Sequence, residues 1–171
     1  FAQSKIVDGY NIYSPFLLEQ KGELKMYFGG WKKTGETQDA IYRANCPHPF
    51  APCTGAVKVI DPAQVGLKQV NDPTVILHSG GYYIMYMTAV PIGADGYIAR
   101  NNHIYYSTSW ANDGLNWSVP RLLTKSAWLP SATSRGRSIE LFANSNTSGQ
   151  VVRLNLGTSG VAVTSIQNIF A

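Results

Sequence analysis

Strand-like segments dominate the pattern of apolar and polar positions along the chain. Aromatic and β-branched residues alternate with polar ones or form short apolar runs, as in KMYFGGW, TVILH, YYIMYM, HIYYSTS and VVRLNL. Clusters of Gly, Pro, Asn and Ser separate these segments, and the apolar spacing of an amphipathic helix is nearly absent. The pattern therefore predicts an all-β protein.

These segments recur in a common order. YSPFLLEQKGELKMYFGG aligns without a gap with NDPTVILHSGGYYIMYMT, so that Pro15 falls on Pro73, and LPSATSRGRSIELFAN places Pro130 in the same slot. We therefore predict a single domain built of about three propeller-type blades, each with four antiparallel strands. A β-sandwich is the alternative, but it does not explain the regular spacing. The blades are expected at approximately residues 10–62, 70–125 and 128–171 of a domain spanning 1–171.

Three blades leave the ring of a propeller open, because closed propellers typically have about four to eight blades. Open sheet edges invite further strand pairing. The sequence therefore predicts either that the chain is part of a longer one or that copies associate to close the ring as a homo-oligomer. Residues 1–13 are a candidate for a strand that completes a neighbouring blade.

Two cysteines, Cys46 and Cys53, flank a proline-rich turn in NCPHPFAPCTG. This arrangement predicts a disulfide, and a disulfide implies an oxidising compartment, so a secreted or periplasmic protein is expected. A metal site with His48 is the alternative, but the spacing lacks a CxxC pair and a fourth ligand. We therefore predict neither a metal nor a cofactor.

Charge and hydropathy narrow the choice of partners. The 171 residues include 14 basic and 10 acidic side chains, and the basic ones are scattered, so a nucleic-acid surface is not expected. No apolar run reaches the roughly 18 residues of a membrane span. Aromatic residues make up 12% of the chain, which suits both a β-rich fold and a sugar-binding surface.

The second copy carries a family resemblance. NDPTVILHSGGYYIMYMT, followed by HIYYSTSWANDGLNWS, resembles blades of the five-bladed β-propeller glycosidase superfamily, which includes arabinanases, β-xylosidases, invertases and levansucrases. The matching residues are Asp72-Pro73, Gly80-Gly81, Tyr82-Tyr83, Ser107–Ser109 and Asp113–Trp117. The resemblance implies a central funnel lined by the innermost strand of each blade. It also implies three carboxylates in that funnel, each from a different blade, which protonate the leaving oxygen, attack or activate water, and stabilise the cationic transition state.

The slot before the repeated proline holds Ser14, Asp72 and Leu129. By the resemblance Asp72 is the candidate catalytic carboxylate, although an Asn-Asp-Pro sequence taken alone is typical of strand entry. Glu140 is a second candidate acid, but it aligns with the second strand of its blade rather than with the innermost one. The expected substrate-binding residues are the neighbours of these slots and an aromatic residue at a strand end: Tyr13, Ser14, Trp31 and Asn71.

Two functions of different class follow. The first is a carbohydrate-recognising propeller module, related to glycoside hydrolases but without a complete set of catalytic carboxylates. The alternative is a glycoside hydrolase of arabinanase, xylosidase or fructosidase type whose missing acids come from absent blades or from a second chain. A structural module that interacts through its open edges is a third option. The predicted partner in the first two is an oligo- or polysaccharide.

Overall fold

The computed structural model describes residues 9–32, 35, 38–47, 52–110, 113–135 and 137–169. Within them, twelve strands form three separate four-stranded antiparallel sheets, so the prediction of an all-β fold with three four-stranded units is confirmed. His48 and the first eight residues lie outside the described part.

Each sheet is built from consecutive strands. Sheet 1 contains β1 (Tyr10–Gln20), β2 (Glu23–Lys32), β3 (Ala40–Cys46) and β4 (Thr54–Ile60). Sheet 2 contains β5 (Leu67–Leu77), β6 (Tyr83–Pro91), β7 (His103–Ser109) and β8 (Arg121–Thr124). Sheet 3 contains β9 (Ala127–Arg135), β10 (Ser138–Ser145), β11 (Val151–Asn155) and β12 (Ser165–Asn168). In all three sheets the strand order in space is the order along the chain, which is the meander of a propeller blade.

The first strands of the three sheets lie side by side. β5 contacts both β1 and β9, so the three innermost strands meet around a common centre. Buried threonines of sheet 2 fasten sheet 3 to it: the Thr88 hydroxyl accepts from the Leu129 amide at 2.9 Å, and the Thr74 hydroxyl accepts from the Ala132 amide at 3.2 Å.

Sheet 2 is covered on both faces. One face packs against sheet 1 through a cluster that includes Tyr27, Ile41 and Met85. The other face packs against sheet 3 through a cluster that includes Ile84 and Leu141. This double burial explains why β6 is a continuous apolar run rather than an alternating strand.

The disulfide between Cys46 and Cys53 is confirmed, with an S–S distance of 1.96 Å. It joins the end of β3 to the residue before β4, so it closes the loop between two neighbouring strands of sheet 1. Among the described residues, no helix is long and apolar enough to cross a membrane.

The turn at Asp113 and Gly114, part of the stretch that carries the family resemblance, is a structural element. The Asp113 carboxylate accepts from the Leu115 amide at 2.9 Å, and Gly114 has a φ of 62°. The Gly114 carbonyl accepts from the Trp117 indole at 3.0 Å. Trp117 packs edge-on against Tyr27 of sheet 1, with ring centroids 6.0 Å apart. The turn therefore joins two sheets.

Candidate functional site

The three slots before the repeated prolines share an unusual backbone. Ser14, Asp72 and Leu129 have φ values of 43°, 52° and 53°, in the left-handed region that non-glycine residues rarely adopt. Each slot lies where the pairing of the innermost strand with its neighbour shifts register. In each case two residues, the slot residue and its proline, lie opposite one residue of the partner strand, which is a β-bulge. The bulges re-aim three equivalent side chains toward the common centre.

Two of these side chains are in contact. The Ser14 hydroxyl donates a hydrogen bond of 2.6 Å to the Asp72 carboxylate, across the interface between sheets 1 and 2. With the following prolines, Ser14, Asp72 and Leu129 line a small central cavity of about 260 Å³. The same three residues also line a larger cleft of about 600 Å³. They therefore lie where the cleft and the smaller cavity adjoin.

The cleft collects every substrate-binding residue that the sequence predicted: Tyr13, Ser14, Trp31 and Asn71, together with Asp72. The Tyr13 and Trp31 rings lie 5.5 Å apart, tilted by 45°. Tyr13 is 43% exposed, so much of its surface is available to a ligand. The functional roles of these residues stay predictions, but they lie together at one site.

Asp39 is a carboxylate of the cleft that the sequence reasoning missed. It lies directly before β3 and accepts a hydrogen bond of 2.7 Å from the Asn71 amide group. Its main-chain carbonyl accepts from the Val70 amide at 3.0 Å, which fixes the residue against sheet 2. The other carboxylate oxygen, Oδ1, is buried without a partner among the described residues. Asp39 is thus held in place by one oxygen, while the second is unpaired.

The surroundings of Asp39 favour its protonated form. Burial raises the pKa of the Asp39 carboxyl above its usual range. The hydrogen bond from Asn71 opposes this rise, and the negative charge of Asp72 adds to it. Burial also raises the pKa of the Tyr13 hydroxyl, and the charge of Asp39 contributes to that rise. Asp39, Asp72 and Tyr13 therefore share one electrostatic environment.

Two glycines make room for polar side chains in the cleft. A Cβ atom on Gly29 would lie 2.4 Å from Oδ1 of Asn71. A Cβ atom on Gly96 would lie 2.7 Å from the side-chain nitrogen of Gln69. Neither contact is possible for a real side chain, so the absence of a side chain at these positions allows Asn71 and Gln69 to occupy their places.

Further residues complete the cleft. The sequence reasoning did not single out these lining residues: Gln38, Asp39, Lys68, Gln69, Gly96, Tyr97 and Trp128. Tyr97 is fully exposed, and Lys68 donates to the Ala94 carbonyl at 2.9 Å. One of the missed residues carried a signal in the repeat, because Trp128 precedes Leu129 just as Tyr13 precedes Ser14.

Glu140 lies elsewhere. It is on β10, paired with Asn155 on one side and Thr133 on the other, and it does not line the cleft. The buried residues Ile139 and Leu141 flank it, so its half-buried side chain points to the opposite face of sheet 3. In the described part of the chain, no group of three or more His, Cys, Asp or Glu could hold a metal ion.

Comparisons with known proteins identify proteins of similar fold. No protein-family model matches the chain, and no curated protein matches it. A thermostable family-43 glycoside hydrolase matches with a TM-score of 0.74 and 12% identity, over 96% of this chain and 58% of that one. The GH43_1 enzyme from Xanthomonas citri, in complex with xylotriose, gives 0.70 and 10%, over 94% and 55%. The GH62 α-L-arabinofuranosidase catalytic domain from Coprinopsis cinerea gives 0.64 and 13%, over 92% and 50%.

The chain therefore has the fold of propeller-type glycoside hydrolases and spans about half the length of the solved structures it matches. At this level of identity the likeness concerns the fold alone. What the cleft does has to be argued from its own residues.

Proposed function

We propose that the cleft binds a sugar unit of an oligo- or polysaccharide. One observation carries the proposal: four aromatic residues and a set of hydrogen-bonding side chains line the same cleft. The aromatic residues are Tyr13, Trp31, Tyr97 and Trp128, and the polar ones include Gln38, Asp39, Gln69, Asn71 and Asp72. A sugar ring has C–H groups on its faces and hydroxyl groups at its edge. The faces fit aromatic rings, and the edge fits carboxylates and amides.

Recognition without cleavage is the function that the slots support. Usual glycoside hydrolysis needs a pair of carboxyl groups on either side of the scissile bond. Of the three equivalent slots only Asp72 has a carboxylate, since Ser14 offers a hydroxyl and Leu129 has no polar side-chain atom. The Ser14 hydroxyl is already donated to Asp72. This pairing suits a carboxylate that holds a fixed position and accepts hydrogen bonds from sugar hydroxyls.

Asp39 favours hydrolysis as a second candidate function. A general acid must hold a proton at the working pH, and the environment of Asp39 raises its pKa in that direction. Asp72 would then serve as the base or nucleophile. In this candidate any further acid comes from further blades or from a second copy of the chain.

Xylotriose and arabinotriose are suitable probes, because they test binding and cleavage in one preparation. Calorimetric titration of the full chain measures the dissociation constant, and chromatography after long incubation measures any product. Trp31→Ala is expected to weaken binding about tenfold, the loss of one stacked ring. Val119→Ala is the control, since Val119 is an exposed apolar residue outside the cleft lining. Absence of binding to a panel of neutral oligosaccharides would contradict the proposal.

The products distinguish the two functions. Binding without products supports recognition alone. Products that disappear in both Asp72→Asn and Asp39→Asn support the hydrolase. Products that persist in both variants would refute a role for this carboxylate pair.

We also propose that the protein works outside the cytoplasm and that its ring is closed by further sheets. The disulfide supports the first point, since such bridges persist in oxidising compartments. The chain's coverage of about half of the glycoside hydrolase structures named above supports the second. Light scattering tests closure by association: a dimer or larger assembly is expected in that case, and a stable monomer would exclude it.

A further inference from the structure

Three aromatic rings form a continuous stack at the end of sheet 2. His78 follows β5, Tyr82 precedes β6 and Trp110 follows β7. The His78 and Tyr82 rings lie 4.4 Å apart at an interplanar angle of 25°. The Tyr82 and Trp110 rings lie 4.3 Å apart at 28°. The strand pairing continues through these positions, so the stack runs across three neighbouring strands on one face of the sheet.

The inner end of the stack is held rigidly. Nε2 of His78 donates to the Thr158 carbonyl at 2.7 Å, because a carbonyl oxygen can only accept. Nδ1 of the same ring accepts from the Gly80 amide at 2.9 Å. Both ring nitrogens are therefore engaged, one with sheet 3's last loop and one with the turn between β5 and β6. These bonds fix the tautomer and the orientation of the ring.

The turn is shaped around the rings. A Cβ atom on Gly80 would lie 2.9 Å from the Tyr82 ring and 3.0 Å from Nδ1 of His78. Gly81 follows with a φ of 83°, which favours glycine. The Gly80-Gly81 turn thus leaves space that a larger residue would take from the stack.

The outer end of the stack is open to solvent. Trp110 is 71% exposed, although one face of its ring lies on Tyr82. A tryptophan whose purpose is to fill the core would be mostly buried. The stack, which we call the platform, therefore leaves one flat aromatic face free for a ligand to lie on.

This platform is separate from the cleft. Asp72 and His78 lie six positions apart along the same innermost strand and its end, which corresponds to roughly 20 Å at the rise of an extended chain. No residue of the stack lines the cleft. A ligand on the stack would therefore contact a second site, toward the opposite end of the sheet.

The lack of charged residues in the segments around the stack indicates which class of ligand it suits. The described segments that build it, residues 74–94, 101–110 and 154–169, contain no Lys, Arg, Asp or Glu. The next acid along the chain, Asp113, is engaged with the Leu115 amide and the Asn116 side chain. Phosphate-bearing ligands need basic partners, so the stack does not suit nucleic acid or an anionic lipid surface. A neutral ligand with an apolar face suits it.

We propose that the ring stack ending in Trp110 is a second glycan-binding site, which takes one face of a sugar ring in a neutral oligo- or polysaccharide. The C–H groups of the sugar would lie over the free face of the indole. Hydroxyl and main-chain groups of the neighbouring turn and loop, such as Ser79 and Thr158, can accept or donate hydrogen bonds at its edge. This site stands whether or not the cleft binds sugar, because no residue is shared.

The test uses the full chain with the cleft disabled by Trp31→Ala and Asp72→Asn. Amide and indole nitrogen–proton NMR spectra are recorded during titration with xylohexaose and with cellohexaose. The Trp110 indole signal, assigned with Trp110→Phe, is expected to shift with sugar concentration. Trp110→Ala is expected to weaken this binding about tenfold or abolish it. Leu77→Ala is the matched control, because Leu77 is 55% exposed beside the stack but points to the other face of the sheet.

Gly80→Ala separates a built stack from a single exposed tryptophan. It retains Trp110 but displaces the rings beneath it, so it is also expected to weaken binding. No shift of the Trp110 signal with either sugar would overturn the proposal. So would a shift that depends only on protein concentration, which would identify the surface as a contact between copies. Because the cleft variants are present throughout, these outcomes are independent of the proposed function of the cleft.

Discussion

Two buried tyrosines offer a matched test of how the sheets are held together. Tyr86 and Tyr27 are each fully buried, and each hydroxyl donates to a main-chain carbonyl of a loop from a neighbouring sheet. Tyr86 reaches the Gly160 carbonyl at 2.7 Å, and Tyr27 reaches the Gly114 carbonyl at 3.2 Å. The Tyr27 hydroxyl also lies 3.5 Å from Oε1 of the buried Gln20, at the outer limit of hydrogen bonding. The two main-chain carbonyls differ in one respect. Gly114 also accepts from the Trp117 indole, whereas within the described residues Gly160 has no second donor.

This difference sets the expected magnitudes. Replacing either tyrosine by phenylalanine removes one hydrogen bond to a main-chain carbonyl, at a net cost of about 1 kcal/mol, and the long contact of Tyr27 with Gln20 adds little to it. Tyr86→Phe also leaves the carbonyl of the buried Gly160 without a partner, which adds about 1–3 kcal/mol. We therefore expect a loss of roughly 2–4 kcal/mol in the free energy of unfolding for Tyr86→Phe, against about 1 kcal/mol for Tyr27→Phe.

Urea denaturation of the parent chain and both variants measures these losses. The change in side chain is the same at both sites, so effects on the unfolded chain largely cancel in the comparison. The dependence of the unfolding free energy on urea should stay constant, as it does when only stability changes. Equal losses, or a greater loss for Tyr27→Phe, would refute the argument that the unpaired carbonyl decides the cost.

Three further predictions follow from groups whose surroundings are equally well defined. Burial raises the pKa of Tyr27 to about 12 from an ordinary value of 10.0, so the unfolded chain loses that proton first and stability should fall between about pH 10 and 12; a constant unfolding free energy across this range would contradict it. The pKa of the Asp39 carboxyl is also raised in the folded chain, so the folded state becomes less stable as the pH rises from the ordinary pKa of Asp through the raised one. Asp39→Asn keeps an acceptor for Asn71 and should therefore be at least as stable as the parent at neutral pH in thermal unfolding, while binding xylotriose more weakly; a clear loss of stability would count against it. Gly114→Ala should cost roughly 2 kcal/mol or more in urea unfolding, because its φ is 62° and its Cβ would lie 2.1 Å from the Tyr27 hydroxyl; Gly66→Ala, with a φ of 72° and open space, should cost less, and equal losses would exclude the clash.

The fold could be predicted from the sequence because the two patterns that indicate it are local. Strand patterns follow from the alternation of side chains, and the recurring proline marks the same turn of each innermost strand. Pro73 predicts an extended backbone at the residue before it. The structure departs from this expectation at Asp72, whose φ is 52°, because the residue lies in the bulge between β5 and β6. Since the recurring proline marks each slot, the neighbours of the slots, Tyr13 and Asn71, were predictable members of the cleft.

The missed residues lack such a signal. Asp39 lies between β2 and β3, where neither alternation nor the repeat fixes the direction of a side chain. Its position depends on contacts with Asn71 and Val70 of another sheet, which only the packed structure reveals. Tyr97 belongs to the connection between β6 and β7 and poses the same difficulty. Trp128 is different, because its place before a slot residue could have been read from the repeat.

The three slots before the prolines share one backbone geometry but carry side chains of different chemistry. A left-handed conformation at a non-glycine residue costs on the order of 1–2 kcal/mol, and it persists only where surrounding structure enforces it. Leu129 adopts it with no polar group to present, so the bulge in the strand pairing enforces this backbone regardless of the side chain. Asp72 adopts the same backbone and gains a donor, Ser14, from the equivalent position of the neighbouring sheet. A carboxylate in place of Ser14 would lie beside that of Asp72, and two such groups could not readily both be ionised. The Ser14 hydroxyl removes this conflict and leaves Asp72 as a fixed hydrogen-bond acceptor. A fixed acceptor suits the binding of sugar hydroxyls, whereas acid–base cleavage by this pair of slots would need a second carboxyl group in place of Ser14.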